Sequence, residues 1–293
     1  MTATVHAGEP EEHRSFSEGR KWLSDNDDKA WGERLYLWFI PVFFILTGIS
    51  SKSGLGHTGN LWNFWLGVMV WLPYCVILPL WLRRGQPLPF WKQWWFKFQI
   101  YMGVIVFILS YFGTEYFFEV LGMRYHYSGV SWYLDSALLG PDQASALAAD
   151  KRVPLGMYPL TMAFFTLYHC AAIVLVRRVV RAAAGLGAGG RRMAYALAML
   201  AMACFFAFAE TALFMSAPST TAWYEDLMTM LTIGTVFYSI DFIFTFPSIY
   251  RLDEDRTRAP WSTSRIVIEA AAAAMGALLL ADFWALAFGA PYA

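Results

Sequence analysis

The segment MAYALAMLAMACFFAFAETALFMSA, from Met193 to Ala217, carries a single charged side chain, Glu210. At a rise of about 1.5 Å per residue, a helix of this length crosses the hydrocarbon core of a bilayer, which is about 30 Å thick. The segment therefore predicts a membrane-spanning helix. A carboxyl group in such a helix costs roughly several kcal/mol, so its presence indicates a functional role.

The composition of the whole chain agrees with a membrane protein. Of 293 residues, 58% are hydrophobic and only 15% are charged, and the mean hydropathy is +0.42. A formal net charge of zero gives no basic surface for nucleic acid. Seven apolar runs are predicted to span the membrane, and they lie at 31–49, 62–82, 98–118, 158–176, 193–217, 227–250 and 266–288. In the first run, Glu33 and Arg34 are expected to snorkel to the surface.

The distribution of basic residues orients the predicted all-α bundle. Eighteen of the 22 Lys and Arg residues fall in the N-terminal segment and in alternate loops, on one side of the membrane. The positive-inside rule then places the N-terminus in the cytosol. Residues 1–30 are expected to form a flexible polar cytosolic tail, and residues 31–293 a transmembrane domain. The long outer loop, 119–157, is either a lid, which could include a short amphipathic helix, or a plain surface excursion.

Polar groups inside the spans are the candidate site. They come from five helices, and they are Glu115, His169, Glu210, Asp241 and Asp282. We expect all five to face one cavity, with Tyr238 on the same helix face as Asp241 because residues i and i+3 share a face. Glu269 is expected to pair with Arg265 near the cytosolic surface. The alternative for each group is a hydrogen bond that holds two helices together.

These carboxyl groups suit acid–base chemistry. The only Lys or Arg inside a predicted span is Arg34, at the start of the first span. No cation deeper in the spans neutralises a carboxylate, and an apolar setting favours the protonated form, which can donate a proton. The sequence indicates no cofactor and no metal site. The motif GLGAGG, at 185–190, joins two spans and lacks the βαβ context of a dinucleotide site. No lysine follows Lys151, which excludes a retinal Schiff base, and His169 is the only histidine in a span, which excludes a bis-histidine haem.

Several runs resemble one family when they are taken together and in order. They are WGERLYLWFIP (31–41), FWKQWWFK (90–97), YFGTEYFFEVLG (111–122), LYHCA (167–171), ETALF (210–214), FTFPSIYRLDED (244–255), WSTSRIVIEAA (261–271) and ADFW (281–284). Their order and spacing are similar to the cycloeucalenol cycloisomerases, the cyclopropyl sterol isomerases of plants. The resemblance covers nearly the whole chain after residue 30.

The resemblance implies an activity and a set of residues. The family opens the 9β,19-cyclopropane ring of cycloeucalenol to give obtusifoliol, without a known cofactor. Matching positions are Tyr168, His169, Glu210, Thr211, Pro247, Arg251, Asp253, Asp282 and Trp284. Glu115 replaces a histidine, Glu269 replaces an aspartate and Asp241 stands where an aromatic residue is expected. The loop after Gly122 is longer than in the plant enzymes. These departures leave open which cyclopropyl triterpenoid is the substrate.

The resulting hypothesis is a membrane-embedded sterol isomerase. Glu210 is the expected proton donor, and His169 is expected to assist it or to act as the base. Asp241 and Glu115 are the second choices, followed by Asp282 and Tyr238. Two alternatives stay open: a sterol or polyprenoid double-bond isomerase, and a sterol or lipid carrier or sensor without catalysis. The expected partners are the sterol and membrane lipid, in a bacterial cell membrane or, in a eukaryote, the endoplasmic reticulum. The oligomeric state stays open.

Overall fold

The described part of the protein has seven helices that are long and apolar enough to cross a membrane, as the sequence predicts. The computed structural model describes residues 22–54, 58–138, 149–215 and 221–292. Within these ranges, the helices that are long and apolar enough to cross a membrane, numbered here as spans 1 to 7, are Asp27–Ser50, Asn60–Leu82, Trp94–Glu119, Met157–Ala182, Ala184–Met215, Leu227–Arg251 and Thr263–Phe288. Each predicted run overlaps one of these spans, which confirms the all-α bundle.

Four spans contain π-helical turns. The α-helices are Asp27–Ser53, Asn60–Leu72, Leu78–Leu82, Trp94–Ile108, Thr114–Glu119, Met157–Ala182, Gly187–Glu210, Leu227–Thr229, Thr235–Arg251 and Thr263–Phe288. The π-helical segments are Pro73–Ile77, Leu109–Gly113, Thr211–Met215 and Met230–Gly234. Short 3₁₀ helices lie at Phe90–Lys92 and Ala184–Leu186. A π turn adds one residue to the repeat, so it rotates the side chains that follow and commonly occurs at functional sites.

A small antiparallel sheet joins two loops at one end of the bundle, which is called the sheet end below. Strand β1, Met123–Tyr125, pairs with strand β2, Ala222–Tyr224, with Met123 opposite Tyr224. Arg124 of β1 anchors the pair, because its guanidinium lies 2.6 Å from the carboxylate of Glu225. The sequence did not predict these strands. Residues 139–148 of the long loop lie outside the described residues, and with them part of the stretch that is predicted to include an amphipathic helix.

Span 4 is the centre of the bundle. It is the most buried of the seven spans, and it packs against spans 1, 2, 3, 5 and 6. Its contact with span 2 depends on glycine, because a Cβ atom added to Gly67 would lie 2.5 Å from the carbonyl oxygen of Gly156. Small residues allow two helix backbones to approach this closely in a membrane.

The first helix begins earlier than the sequence predicts. It starts at Asp27, and the Asn26 side chain accepts hydrogen bonds from the backbone amides of Asp28 and Lys29. This is a typical N-cap. The Lys29 side chain is fully buried, where its ammonium donates to the carbonyl oxygens of Tyr250 and Leu252. The expected tail boundary at residue 30 therefore lies inside a helix, while residues 1–21 lie outside the described residues.

Buried ion pairs stabilise the opposite end of the bundle, which is called the polar end below. The Arg177 guanidinium binds both carboxylate oxygens of Glu33, at 2.9 and 2.7 Å, and both of Glu254, at 2.7 and 2.8 Å. The prediction that Glu33 snorkels is wrong, because its side chain is fully buried in this pairing. The predicted surface pair between Arg265 and Glu269 is confirmed at 3.6 Å.

Candidate functional site

A cavity of about 230 Å³ lies at the sheet end, between spans 3, 4, 5 and 6. Strands β1 and β2 contribute side chains to the same cavity. Its lining residues are Leu109, Ser110, Thr114, Phe117, Met123, Tyr125, Tyr127, Met157, Leu160, Thr161, Phe164, Phe165, Glu210, Thr211, Phe214, Met215, Thr221, Ala222, Tyr224, Tyr238 and Asp241. An apolar and aromatic wall with a few convergent polar groups is the usual form of a small-molecule site.

Helix geometry explains how span 5 presents Glu210 to this cavity. Glu210 is the last residue of the α-helix Gly187–Glu210, and the π segment Thr211–Met215 follows it directly. The extra residue of the π turn turns Thr211, Phe214 and Met215 toward the same space as Glu210. A second π segment, Leu109–Gly113, brings Leu109 and Ser110 of span 3 to the opposite wall.

Tyr238 of span 6 binds Glu210 directly. Its hydroxyl donates a hydrogen bond to Oε2 of Glu210, with 2.5 Å between the oxygens. The hydroxyl of Tyr168 in span 4 lies near Glu210, but it makes no hydrogen bond within the described residues. Glu210 therefore accepts a hydrogen bond from Tyr238 and has Tyr168 as a second neighbouring tyrosine.

Asp241 is the second carboxyl group of the cavity. It lies one helical turn after Tyr238, and both side chains line the cavity, as the i, i+3 spacing predicts. Its carboxyl group lies near enough to that of Glu210 for two negative charges there to repel each other. Within the described ranges, the Asp241 carboxyl makes no hydrogen bond to another side chain or to the backbone, so it is free to meet a ligand. No Lys, Arg or His side chain occurs among the described residues that line the cavity.

Aromatic rings form much of the wall around the two carboxyl groups. The ring of Phe117 lies edge-on to Tyr238, with 4.8 Å between the centroids. Phe164 and Phe214 meet in the same manner at 4.9 Å. The faces of such rings attract positive charge. The cavity therefore combines acid–base groups with a surface that stabilises a cation in a largely apolar setting.

His169 does not reach the cavity. It is fully buried between spans 4 and 6. Its Nδ1 is hydrogen-bonded to the carbonyl oxygen of Phe165 at 2.8 Å, and its Nε2 to the hydroxyl of Thr245 at 2.9 Å. Both ring nitrogens are therefore occupied by groups of the protein.

Glu115 and Asp282 also lie away from the cavity. Glu115 is buried, and one of its carboxyl oxygens has no hydrogen bond within the described residues. Its charged neighbours are Asp135, Glu119 and Lys151, which belong to the outer loop and to the end of span 3. Asp282 of span 7 accepts a hydrogen bond from the Tyr116 hydroxyl at 3.2 Å, in an exposed position.

The expectation that five polar groups from five helices face one cavity is therefore wrong. Of the predicted residues, the structure brings together Glu210, Tyr238 and Asp241. The membrane depth of a residue follows from its place in a span, but the side of the helix on which it lies follows from packing. In span 3, Thr114 and Phe117 lie on the cavity wall and Glu115 does not, because Ser110, Thr114 and Phe117 share one face of the helix.

Sequence reasoning missed the tyrosines of the sheet end. Tyr125 and Tyr127 come from the long loop, and Tyr224 comes from β2. No helical periodicity marks these tyrosines, because they lie in a short sheet and in a loop rather than in a span. The sequence signal for Tyr125 and Tyr127 is an aromatic-rich stretch, RYHYSG at 124–129. Among the described residues, no group of three or more His, Cys, Asp or Glu side chains could hold a metal ion.

The seven apolar helices are those of an integral, multi-pass membrane protein, and two carboxyl groups line its cavity. A comparison with curated proteins gives its family. The cycloeucalenol cycloisomerase of Arabidopsis thaliana is 30% identical over 273 residues, which cover 92% of this chain and 89% of the plant protein. The chain belongs to the cycloeucalenol cycloisomerase family and is an isomerase.

Two further comparisons gave no match. No family model matches the chain. No solved structure matches it either.

Proposed function

We propose that this isomerase opens the 9β,19-cyclopropane ring of a cyclopropyl sterol, such as cycloeucalenol, to give a sterol with an 8(9) double bond. The observation that carries the proposal is the pair of carboxyl groups, Glu210 and Asp241, in one aromatic cavity whose described lining residues include no Lys, Arg or His. An isomerisation of this kind needs one acid, one base and an environment that tolerates a carbocation. The name of the plant relative supports the substrate class.

Glu210 acts as the acid in the proposed mechanism. Its carboxyl hydrogen goes to the cyclopropane CH₂ carbon, and the electrons of the bond between C9 and C19 form the new C–H bond. C19 becomes a methyl group and C9 becomes a carbocation. The carboxylate left on Glu210 is stabilised by the hydrogen bond that Tyr238 already donates to its Oε2. A donor that is in place before charge develops lowers the barrier without reorganisation.

Asp241 acts as the base. Its carboxylate takes the proton from C8, and the electrons of that C–H bond form the double bond between C8 and C9. One proton is added and one is removed, so the reaction is redox-neutral and the product is an isomer of the substrate. This assignment replaces His169 as the base, because both nitrogens of His169 are engaged outside the cavity.

The cavity wall supports the cationic intermediate. The rings of Phe117, Phe164, Phe165 and Phe214 surround the space that the sterol would occupy. Aromatic faces stabilise a desolvated cation by roughly 2 kcal/mol each at best. Water is also kept from the cation, which prevents its capture as an alcohol. We place the N-terminus in the cytosol and the sheet end outside, from the distribution of basic residues.

A feeding experiment tests the proposal. The protein is produced in a bacterium that makes no sterols, and membranes in D₂O receive cycloeucalenol or cycloartenol. The expected product has an opened ring, an 8(9) double bond and about one deuterium, located in the new methyl group, because the donor is an exchangeable carboxyl. Membranes without the protein are the control.

Three other results would contradict the proposal in different ways. An intact cyclopropane with a shifted side-chain or ring double bond would favour a double-bond isomerase. Tight binding of both sterols without conversion would favour a carrier or sensor. Ring opening without deuterium in the methyl group, from protein equilibrated in D₂O, would remove the carboxyl group as the donor.

A further inference from the structure

His169 links span 4 to span 6 just behind the cavity wall. Its ring is enclosed by Phe165, Phe242 and Phe246, with centroid distances of 5.4, 5.9 and 4.8 Å. Its only described hydrogen-bond partner outside its own helix is the Thr245 hydroxyl, at 2.9 Å. A fully buried polar side chain that makes such a specific contact fixes the relative position of the two helices.

The hydrogen-bond directions around His169 follow from its partners. The carbonyl oxygen of Phe165 can only accept, so Nδ1 carries the hydrogen in that contact. In a neutral ring, Nε2 is then an acceptor, and the Thr245 hydroxyl donates to it. The same hydroxyl lies 2.7 Å from the backbone carbonyl oxygen of Asp241. Two acceptors, one on each span, therefore share the single hydrogen of Thr245.

Thr245 lies one helical turn after Asp241, and Tyr238 lies one turn before Asp241. A third span reaches the same place, because the hydroxyl of Tyr101 in span 3 donates to the Thr245 carbonyl oxygen at 3.2 Å. Spans 3, 4 and 6 thus meet at one residue, directly below the turn of span 6 that faces the cavity. A rotation of span 6 at this point would move Tyr238 and Asp241 together.

We propose that His169 and Thr245 are positioning residues. The hydrogen bond between them sets the rotation of span 6, and thereby the direction in which Tyr238 and Asp241 face the substrate. This inference rests on the proposed function, because it assigns both residues to the same acid–base site. It gives His169 an indirect role through Thr245, without contact with the sterol.

Matched substitutions of Thr245 test the proposal. Thr245→Val keeps the side-chain shape and removes the hydroxyl, whereas Thr245→Ser keeps the hydroxyl. We expect kcat to fall roughly tenfold or more in Thr245→Val while KM stays within about twofold, since misplaced catalytic groups slow the chemical step. Thr245→Ser should restore most of the rate. A Thr245→Val protein that is folded and as active as the wild type would overturn the proposal.

A double-mutant cycle separates positioning from general stability. In His169→Phe, Thr245 has already lost its partner. Adding Thr245→Val to this variant should therefore lower kcat by a further factor of less than about two. Fully additive losses in kcat would show that the two side chains act independently, and would overturn the proposal. Unfolding temperatures of the four proteins identify any loss that comes from unfolding alone.

A chemical probe gives a readout that does not depend on sterol conversion. Dicyclohexylcarbodiimide modifies carboxyl groups in apolar sites, and mass spectrometry gives the ratio of labelling at Asp241 to labelling at Glu210. We expect this ratio to shift roughly threefold or more in Thr245→Val and to stay unchanged in Thr245→Ser. An unchanged ratio in Thr245→Val overturns the positioning role even if the wild type converts no sterol. A shifted ratio with an inactive wild type contradicts the proposed function alone.

Discussion

Replacing Tyr238 with phenylalanine removes the hydroxyl that binds Glu210, the proposed proton donor. In the structure this hydroxyl donates to Oε2 of Glu210 at 2.5 Å. A hydrogen bond to a charged group contributes about 1.5–3 kcal/mol. At 1.36 kcal/mol per factor of ten, its complete loss in the transition state slows the reaction by about 10- to 150-fold. The lower half of this range is expected, because only the part of the bond that strengthens as Glu210 becomes charged contributes to kcat.

The assay for Tyr238→Phe is the rate of ring opening in membranes, with kcat and KM measured separately. We expect a reduced kcat and a KM close to that of the wild type, because the ring and its contact with Phe117 remain. Tyr195→Phe is the matched control, since Tyr195 packs on Tyr250 with 5.3 Å between their ring centroids, near the polar end. A Tyr238→Phe protein with the same kcat as Tyr195→Phe would refute the proposal that the Tyr238 hydroxyl stabilises the carboxylate of Glu210.

Three predictions concern the stability of the bundle. Glu33→Gln leaves the buried Arg177 with a single carboxylate partner and should cost about 3 kcal/mol, measured by denaturant unfolding in detergent; a change below about 0.5 kcal/mol would contradict the buried pairing. Burial raises the pKa of Glu254, but the neighbouring Lys29 and Arg177 lower it by more than burial raises it, so that the pKa is about 2. Its stabilisation is therefore present above its ordinary pKa and is lost as the pH falls from about 4.5 toward 2, and unfolding temperatures should drop across that window in the wild type but not in Glu254→Gln. Gly67→Val should prevent the close packing of span 2 on span 4, so the protein should fail to accumulate in membranes, whereas Gly103→Val, which meets no atom within 4 Å, should accumulate normally.

Most of the fold follows from the sequence because each span satisfies its backbone N–H and C=O groups with hydrogen bonds inside its own helix. A run of apolar residues long enough to cross the bilayer therefore defines a helix almost alone. The boundaries are less certain where polar residues find partners inside the protein. Lys29 and Glu33 are charged but buried, because carbonyl groups and Arg177 satisfy them. Hydropathy treats such residues as belonging to the surface.

The candidate site follows from the sequence only in part. The isolated carboxyl of Glu210 marks it, and the spacing of Tyr238 and Asp241 places them together. The sequence also predicts His169, Glu115 and Asp282 in this cavity, because they are polar groups inside spans, but none of them lines it. Helix rotation, shifted by π turns and fixed by distant contacts, decides which side chains face the cavity, and no local pattern encodes it. The part of the cavity wall formed by β1 and β2 depends on pairing between two loops that are about a hundred residues apart in the sequence. Tyr125, for example, pairs with Ala222.

The central claim is that the carboxyl group of Glu210 protonates the cyclopropane ring. The most direct test compares the rate of cycloeucalenol ring opening by Glu210→Gln and Glu269→Gln at equal amounts of folded protein. Both variants neutralise one carboxylate, but Glu269 lies at the polar end, paired with Arg265. The account predicts a wild-type rate for Glu269→Gln and a loss of about 10²–10⁴-fold for Glu210→Gln, the usual contribution of a general acid. Equal rates in the two variants would contradict it.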